Sequence, residues 1–104
     1  MVHVKLEEIK YVDLDPQLFD GYMCEEDDGI IISQIISKRK GEGNFKRLVN
    51  ELKQKYRFIK IPTPSNQMRE IALHLGFTQK LHYFEEFEEM GEIMYWEKNA
   101  KRNQ

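Results

Sequence analysis

Cysteine is almost absent from this chain of 104 residues, since Cys24 is the only one. A single cysteine excludes an internal disulfide and every metal site that needs two or more thiolates. No set of His, Cys and acidic residues has metal-ligand spacing either, so we expect no metal cofactor. No apolar run approaches the roughly 20 residues that cross a bilayer, and the acid-containing start MVHVKLEEIKYVDLD is unlike a signal or transit peptide. We therefore expect a cytoplasmic protein with no membrane partner.

Proline and glycine are also sparse, with 3 and 6 residues, and no linker-like stretch or repeat divides the chain. A hydrophobic share of 40% at this length is enough for one two-layer core and leaves no room for a second. We expect a single domain over residues 1–98, followed by a polar tail at 99–104.

Charge is nearly balanced, with a formal net value of −2, but its distribution is uneven. Residues 1–28 hold nine acids against two lysines, whereas residues 38–60 hold nine basic residues against two glutamates. Most charge runs are solvated faces, yet this one places positive potential where a polyanionic ligand would be attracted. A nucleic-acid partner is not expected, because the pI is about 5.9 and no aromatic residues interleave with the basic segment.

The first half of the chain has the patterns of β-strands. Alternation predicts one or two strands between Val2 and Leu14 and another from Leu18 to Glu26. Asp27-Asp28-Gly29 is a hairpin signal. The following β-branched run, Ile30–Ser37, favours a central strand covered on both faces.

The second half alternates helix and strand. Apolar spacing predicts an amphipathic helix over residues 44–55, and a short strand follows at 57–61. A second helix is expected to begin at Thr63 or Ser65 and to stop at Gly76. Residues 79–84 and 92–96 predict two final strands joined by a glutamate-rich hairpin. The order strand, helix, strand implies a right-handed crossover between parallel strands.

The loop between the central strand and the first helix carries the clearest chemistry. Gly41 and Gly43 allow an anion to approach the backbone, and the helix N-terminus presents unpaired N–H groups. The spacing is not that of a P-loop, and Lys46 replaces the third glycine of a dinucleotide fingerprint. The alternatives are a pyrophosphate-binding loop and a surface turn with two glycines. Three consecutive basic side chains favour the first: Lys38, Arg39 and Lys40.

From about Asp27 to Trp96 this arrangement resembles the GNAT superfamily of acyl-CoA-dependent N-acetyltransferases. Their pyrophosphate-binding loop reads Q/R-x-x-G-x-G/A, and Lys38, Gly41 and Gly43 take its three fixed positions. The run 65–77, which ends in Gly-Phe, is similar to the family's second conserved block. The resemblance implies an α/β (α+β) fold with a mixed, centrally parallel twisted sheet flanked by two helices. It also implies acetyl-CoA as co-substrate and a primary amine as acceptor. The implied cofactor-binding residues are Ile35, Ile36, Ser37, Lys38, Arg39, Lys40, Gly41, Glu42, Gly43, Asn44, Ser65 and Asn66.

Two features depart from the family pattern. Members that use a tyrosine as general acid carry it where this chain has Ala72, and the region that shapes the acceptor pocket is short here. A catalytically degenerate module that binds CoA or another phosphate ligand is therefore the alternative function.

Acyl transfer to an amine needs a group that removes a proton. Glu25 and Glu26, beside the central strand, are the expected bases, although acids near a turn are commonly only exposed. Tyr83 is the expected donor to the leaving thiolate, with cross-strand packing as its alternative role. Trp96 and its neighbours complete the sheet core or a homodimer edge. Cys24 and His82 are expected to be structural side chains, and His74 is expected to lie on the surface.

Overall fold

A computed structural model describes residues 10–85 and 87–98. In this part of the chain the strands are β1 (Lys10–Val12), β2 (Phe19–Glu26), β3 (Gly29–Ser37), β4 (Phe58–Pro62), β5 (Thr78–Phe84) and β6 (Glu89–Glu97), and the helices are α1 (Asn44–Lys55) and α2 (Asn66–His74). The strands form one sheet in the order β1-β2-β3-β4-β6-β5. β3 and β4 are parallel, and every other neighbouring pair is antiparallel.

The predicted mixed architecture of sheet and two helices is confirmed. α1 has the predicted bounds, the parallel pair lies at the centre of the sheet, and the last two strands form a hairpin. β6 begins at Glu89 rather than at residue 92, because the exposed residues Glu89 and Met90 already pair with β5. Of the strands expected between Val2 and Leu14, the part before residue 10 lies outside the described residues, as does the tail at 99–104.

The core lies between the two helices and one face of the sheet. Both crossovers, β3-α1-β4 and β4-α2-β5, advance in the same direction along the sheet, so both helices cover the same face. The largest fully buried side chains on this side are Met23, Ile30, Ile32, Ile59, Met94 and Val49.

The prediction that β3 is covered on both faces is wrong. Ile30, Ile32 and Ile35 are buried, but Ile36 is 57% exposed and the alternating residues on the other face are only partly buried. Because both helices lie on one face, no helix of the described chain covers the other. We call this second surface the open face.

The parallel pair is short. β3 and β4 pair over three consecutive residues, Gly29–Ile31 with Phe58–Lys60, and then separate. β3 continues to Ser37 beside β2, with a β-bulge at residues 34–35 opposite Gly21. The separation leaves a cleft between β3 and the end of β4, and this cleft positions the candidate site. Neither described helix is long and apolar enough to cross a membrane.

Candidate functional site

A cavity of about 510 Å³ occupies the cleft between the separated strands. β3 contributes Ile35 and Ile36 to its walls, and the start of α2 contributes Ser65 and Met68. The same four residues line an adjoining cavity of about 280 Å³, which leads toward a third of about 400 Å³ at the loop before α1. Together these three cavities form a continuous groove, which we call the cleft groove, from the basic loop to the middle of the sheet.

The N-terminus of α1 forms one end of the cleft groove. Gly43 is the N-cap residue with φ 75°, no side chain caps the helix, and its first turn carries no acid. Gly41 also has a positive φ, of 86°, and a Cβ placed there would meet no described atom within 4 Å. The backbone N–H groups of the first turn therefore face an accessible space, which suits an anion.

Asn44, the first residue of α1, is buried with 7% exposure and lines the same end of the groove. Its Oδ1 accepts a hydrogen bond from the Arg47 guanidinium, whereas its Nδ2 has no partner among the described residues. An unpaired buried amide donor costs about 1–3 kcal/mol. A ligand oxygen at this position would remove that cost.

The structure brings together most of the residues that the sequence assigned to a cofactor. The following line the cleft groove: Ile35, Ile36, Ser37, Arg39, Lys40, Gly41, Gly43, Asn44 and Ser65. Lys38, Glu42 and Asn66 do not line it. The Lys38 ammonium instead donates to the carbonyl oxygen of Pro16 at 2.5 Å and lies 3.5 Å from Asp20 Oδ1. Asn66 Oδ1 accepts a hydrogen bond from Arg69 Nη1 at 2.6 Å.

Two residues with strained backbone conformations line the 510 Å³ cavity. Gln34 in the bulge has φ 53°, and Thr63 after β4 has φ 42°. A positive φ costs conformational energy in any residue with a Cβ, and most in a β-branched residue such as threonine. The other described non-glycine residues with positive φ, Asp27 and Glu88, lie in hairpin turns, where this conformation is common. Backbone strain away from turns is thus concentrated at this cleft.

The cleft also opens onto the open face. A cavity of about 330 Å³ there, which we call the open-face cavity, shares Gln34, Pro62 and Thr63 with the 510 Å³ cavity. Its other walls come from β2 and from the β5–β6 hairpin. The shared residues lie where β3 and β4 have separated, so the two cavities adjoin there from opposite faces of the sheet.

The predicted catalytic residues lie outside this arrangement. Glu25 Oε2 accepts a hydrogen bond from the Tyr56 hydroxyl at 2.6 Å, and Glu26 forms an ion pair with Lys60 at 3.1 Å. Both acids flank the closed end of the parallel pair, since Glu25 is opposite Ile30. Tyr83 is half exposed on the edge strand β5. None of the three lines the cleft groove or the open-face cavity.

Cys24, His74 and His82, which the sequence did not assign to the site, have ordinary structural or surface environments. Cys24 is half-buried on β2, and burial followed by the nearby Glu26 carboxylate raises the pKa of its thiol, which disfavours the nucleophilic thiolate. His74 Nδ1 lies 2.9 Å from the carbonyl oxygen of Glu70 in its own helix. The His82 ring packs edge-to-face on Phe84 with 4.8 Å between centroids. Ala72, on the inner side of α2, is fully buried.

Sequence patterns did not identify many of the residues that line the site, among them Gln34, Thr63, Gln67 and Glu89. Gln34 and Thr63 stand out only by their positive φ, and no local pattern of side chains predicts that conformation. Gly21, opposite the bulge, was the one available signal, because an isolated glycine in a strand often marks a bulge. Glu89 belongs to a glutamate run whose individual members are equivalent until the hairpin register is known.

No protein-family model, curated protein or solved structure matches this chain.

Proposed function

We propose that this protein is an acyl-CoA-dependent N-acyltransferase of the GNAT type, which transfers an acetyl group to a primary amine. One observation carries the proposal: the basic, glycine-containing loop at the start of α1 opens into the cleft between the only neighbouring parallel strands among the described residues. An anion-binding helix terminus and an elongated groove together suit a ligand with a pyrophosphate and a long, uncharged arm.

The pyrophosphate would bind at the α1 end of the cleft groove. The uncapped first turn supplies backbone donors and the positive end of the helix dipole, which favours an anion by about 0.3–1 kcal/mol at an exposed site. Arg39 and Lys40 add side-chain charge, and Asn44 Nδ2 supplies a donor that has no described protein partner. Lys38 would support the loop through its bond to Pro16 rather than contact the ligand.

The pantetheine arm would lie along residues 35–37 of β3. Beyond Ile31 the edge of β3 that faces β4 has no pairing strand among the described residues, so extended backbone is available to the amides of the arm. Met68 and Ile71 of α2 supply an apolar wall on the other side. With the pyrophosphate at the loop end, the arm would extend toward the cleft and place the thioester beside Gln34 and Thr63.

The reaction is a direct transfer in a ternary complex. The ammonium first loses a proton to water, the amine nitrogen forms a bond to the thioester carbonyl carbon, and the C–S bond breaks. The nitrogen loses its second proton as the amide forms and the released thiolate takes up a proton, so amine and acetyl-CoA give amide and CoA. Backbone amides of the β3 bulge would polarise the carbonyl. The N-terminus of α2, capped by Ser65, lies beside the cleft and would favour the thiolate.

Binding is tested by thermal shift with acetyl-CoA and with free CoA. A ligand that binds only the folded state stabilises it by about 2.7 kcal/mol at a hundredfold excess over Kd. Gly43→Trp should abolish the shift, because the indole fills the groove at the N-cap. Gly76→Trp is the matched control, since Gly76 also has a positive φ, is exposed, and lies at the far end of α2.

We expect both variants to unfold at a lower temperature, and only Gly43→Trp to lose the ligand shift. No shift of the native protein at millimolar acetyl-CoA would refute CoA binding. A shift without thiol release across an amine panel would instead support the alternative, a module that binds CoA without transfer. The buried Ala72 at the position of the family's acid is the observation that favours that alternative.

A further inference from the structure

The open-face cavity has a different chemical character from the cleft groove on the other side of the sheet. Its walls include Tyr22 from β2 and two aromatic residues of the hairpin region, Phe84 and Phe87. Two of these rings are unusually exposed, with Tyr22 at 43% and Phe87 at 71%. Exposed aromatic residues that converge on a cavity are typical of a binding site rather than of a core.

Glu89 supplies the only charged side chain among the described residues that line this cavity. No hydrogen bond or ion pair within residues 10–85 and 87–98 engages its carboxylate. No lysine, arginine or histidine contributes to the described walls. A carboxylate beside aromatic faces, without a cation of its own, suits a ligand that brings an ammonium group.

The two ends of the site have opposite charge. Arg39, Lys40 and Lys46 line the loop end of the cleft groove, whereas Glu85 and Glu88 lie near Glu89 in the hairpin. Such a field draws an anionic ligand to the first end and a cationic ligand to the second. It also disfavours an acceptor that carries its own carboxylate or phosphate, because that group would lie near the hairpin acids.

We propose that the acceptor is a small primary amine on an apolar or aromatic body that carries no anionic group, bound in the open-face cavity with its ammonium at Glu89. This inference rests on the proposed N-acyltransferase function. A volume of about 330 Å³ lies at the low end of the range of about 300–1,000 Å³ for small-molecule sites, which favours a compact amine over a protein substrate. Glu89 is here a binding residue that orients the ammonium near the opening beside Gln34 and Thr63.

The test compares acceptors that differ in one property each. 2-Phenylethylamine and phenylalanine differ by a carboxylate, and spermidine has ammonium groups without an aromatic body. With saturating acetyl-CoA and a thiol-release assay, we expect kcat/KM for phenylethylamine to exceed that of each of the others at least tenfold. A lysine-containing peptide is included, and faster acetylation of that peptide would refute a small-molecule acceptor.

Glu89→Gln should raise KM for phenylethylamine about tenfold and leave kcat nearly unchanged, because it removes the charge that binds the ammonium. Glu85→Gln is the matched control, since it removes the same charge from the same hairpin at a residue that does not line the cavity. Equal effects of the two variants would overturn the role of Glu89. Preferred turnover of phenylalanine or spermidine would overturn the acceptor class and leave the transferase proposal in place.

Acetyl-CoA could bind without any amine being acetylated. Equilibrium binding of amines then tests the acceptor class separately from the transferase function. In that case acyl transfer fails, and the acceptor class is judged by calorimetry with CoA-loaded protein. Phenylethylamine must then bind at least tenfold more tightly than phenylalanine, and Glu89→Gln must remove the difference. Equal or undetectable binding of both amines would refute the acceptor class independently of catalysis.

Discussion

Gly21 lies in β2 opposite the bulge of β3, and its missing side chain leaves room for the backbone of Gln34 and Ile35. A Cβ at this position would approach the carbonyl oxygen of Gln34 to 2.3 Å and the Cα of Ile35 to 2.7 Å. Its φ of 116° is also one that other residues rarely adopt. One glycine thereby permits the bulge on which the shape of the cleft depends.

Gly21→Ala should destabilise the fold by about 3 kcal/mol, since it combines backbone strain with a clash against main-chain atoms. Gly41→Ala is the control, because Gly41 also has a positive φ but has open space around it. Backbone strain alone should cost about 1 kcal/mol there. Urea unfolding of the three proteins provides the measurement. A loss at Gly21 no larger than that at Gly41 would mean that the bulge tolerates a side chain.

Tyr56 predicts a stability change at high pH. Burial, followed by its hydrogen bond to Glu25, raises the pKa of the Tyr56 hydroxyl to about 12. In the unfolded chain the phenol ionises near pH 10, so its contribution is complete below pH 10 and is lost as the pH rises from 10 through 12. Tyr56→Phe should therefore show a smaller decline in urea midpoint over this range than the native protein. Tyr83→Phe is the control, because it removes a hydroxyl from the exposed edge strand and should retain the native decline. If the urea midpoints of all three proteins declined equally with pH, Tyr56 would not be the cause of the decline.

At the scale of elements, α2 is held to β6 by a bidentate ion pair. Arg69 Nε and Nη2 donate to the Glu92 carboxylate at distances of 2.6–3.0 Å, with Arg69 on the helix and Glu92 on the strand. α2 also forms the second wall of the cleft groove through Ser65 and Met68. The ion pair therefore fixes the position of that wall relative to the sheet.

Glu92→Gln should lower the thermal midpoint at pH 7 and reduce the affinity for acetyl-CoA. Hydrogen bonds from Arg69 are the main reason that the pKa of Glu92 lies below its ordinary value. The stabilisation is thus present above the unfolded pKa of about 4.3 and is lost as the pH falls through the lowered folded value. The variant should lose less stability than the native protein between pH 6 and pH 3. Glu26→Gln, which removes a more exposed ion pair with Lys60, should change the midpoint far less; similar losses in both variants would argue against a special role for the Arg69 contact.

The sequence predicted elements well where one local pattern determined them. Phe45, Val49 and Leu52 define the buried stripe of α1, and Gly43 marks its start, so its bounds required no tertiary information. The expected base Glu25 shows the opposite case. Its partner, Tyr56, lies 31 positions away in the chain, and a strand pattern does not reveal which end of the parallel pair will be closed.

At the scale of the whole molecule, the faces of the sheet could be predicted only in part. The apolar run of β3 suggested cover on both sides, but coverage depends on where the two crossovers pass, which is a property of strand order. The open face instead carries aromatic rings and lysines, including Phe58 stacked on Tyr95 and Lys80 over the same tyrosine ring at 4.2 Å. Such mixed surfaces have no periodic signal that distinguishes them from an ordinary solvated strand.

The short pairing between β3 and β4 divides the sheet mechanically into two plates, β1-β2-β3 and β4-β6-β5. Three residue pairs join the plates at one end, and beyond them the two plates, which form the arms of the cleft, share no ladder pairing among the described residues. A ligand in the gap would bond to both arms and take the place of the ladder that is missing there. Its binding would therefore stiffen the whole sheet, and amide hydrogen exchange in β3 beyond Ile31 would slow even at positions that the ligand does not touch.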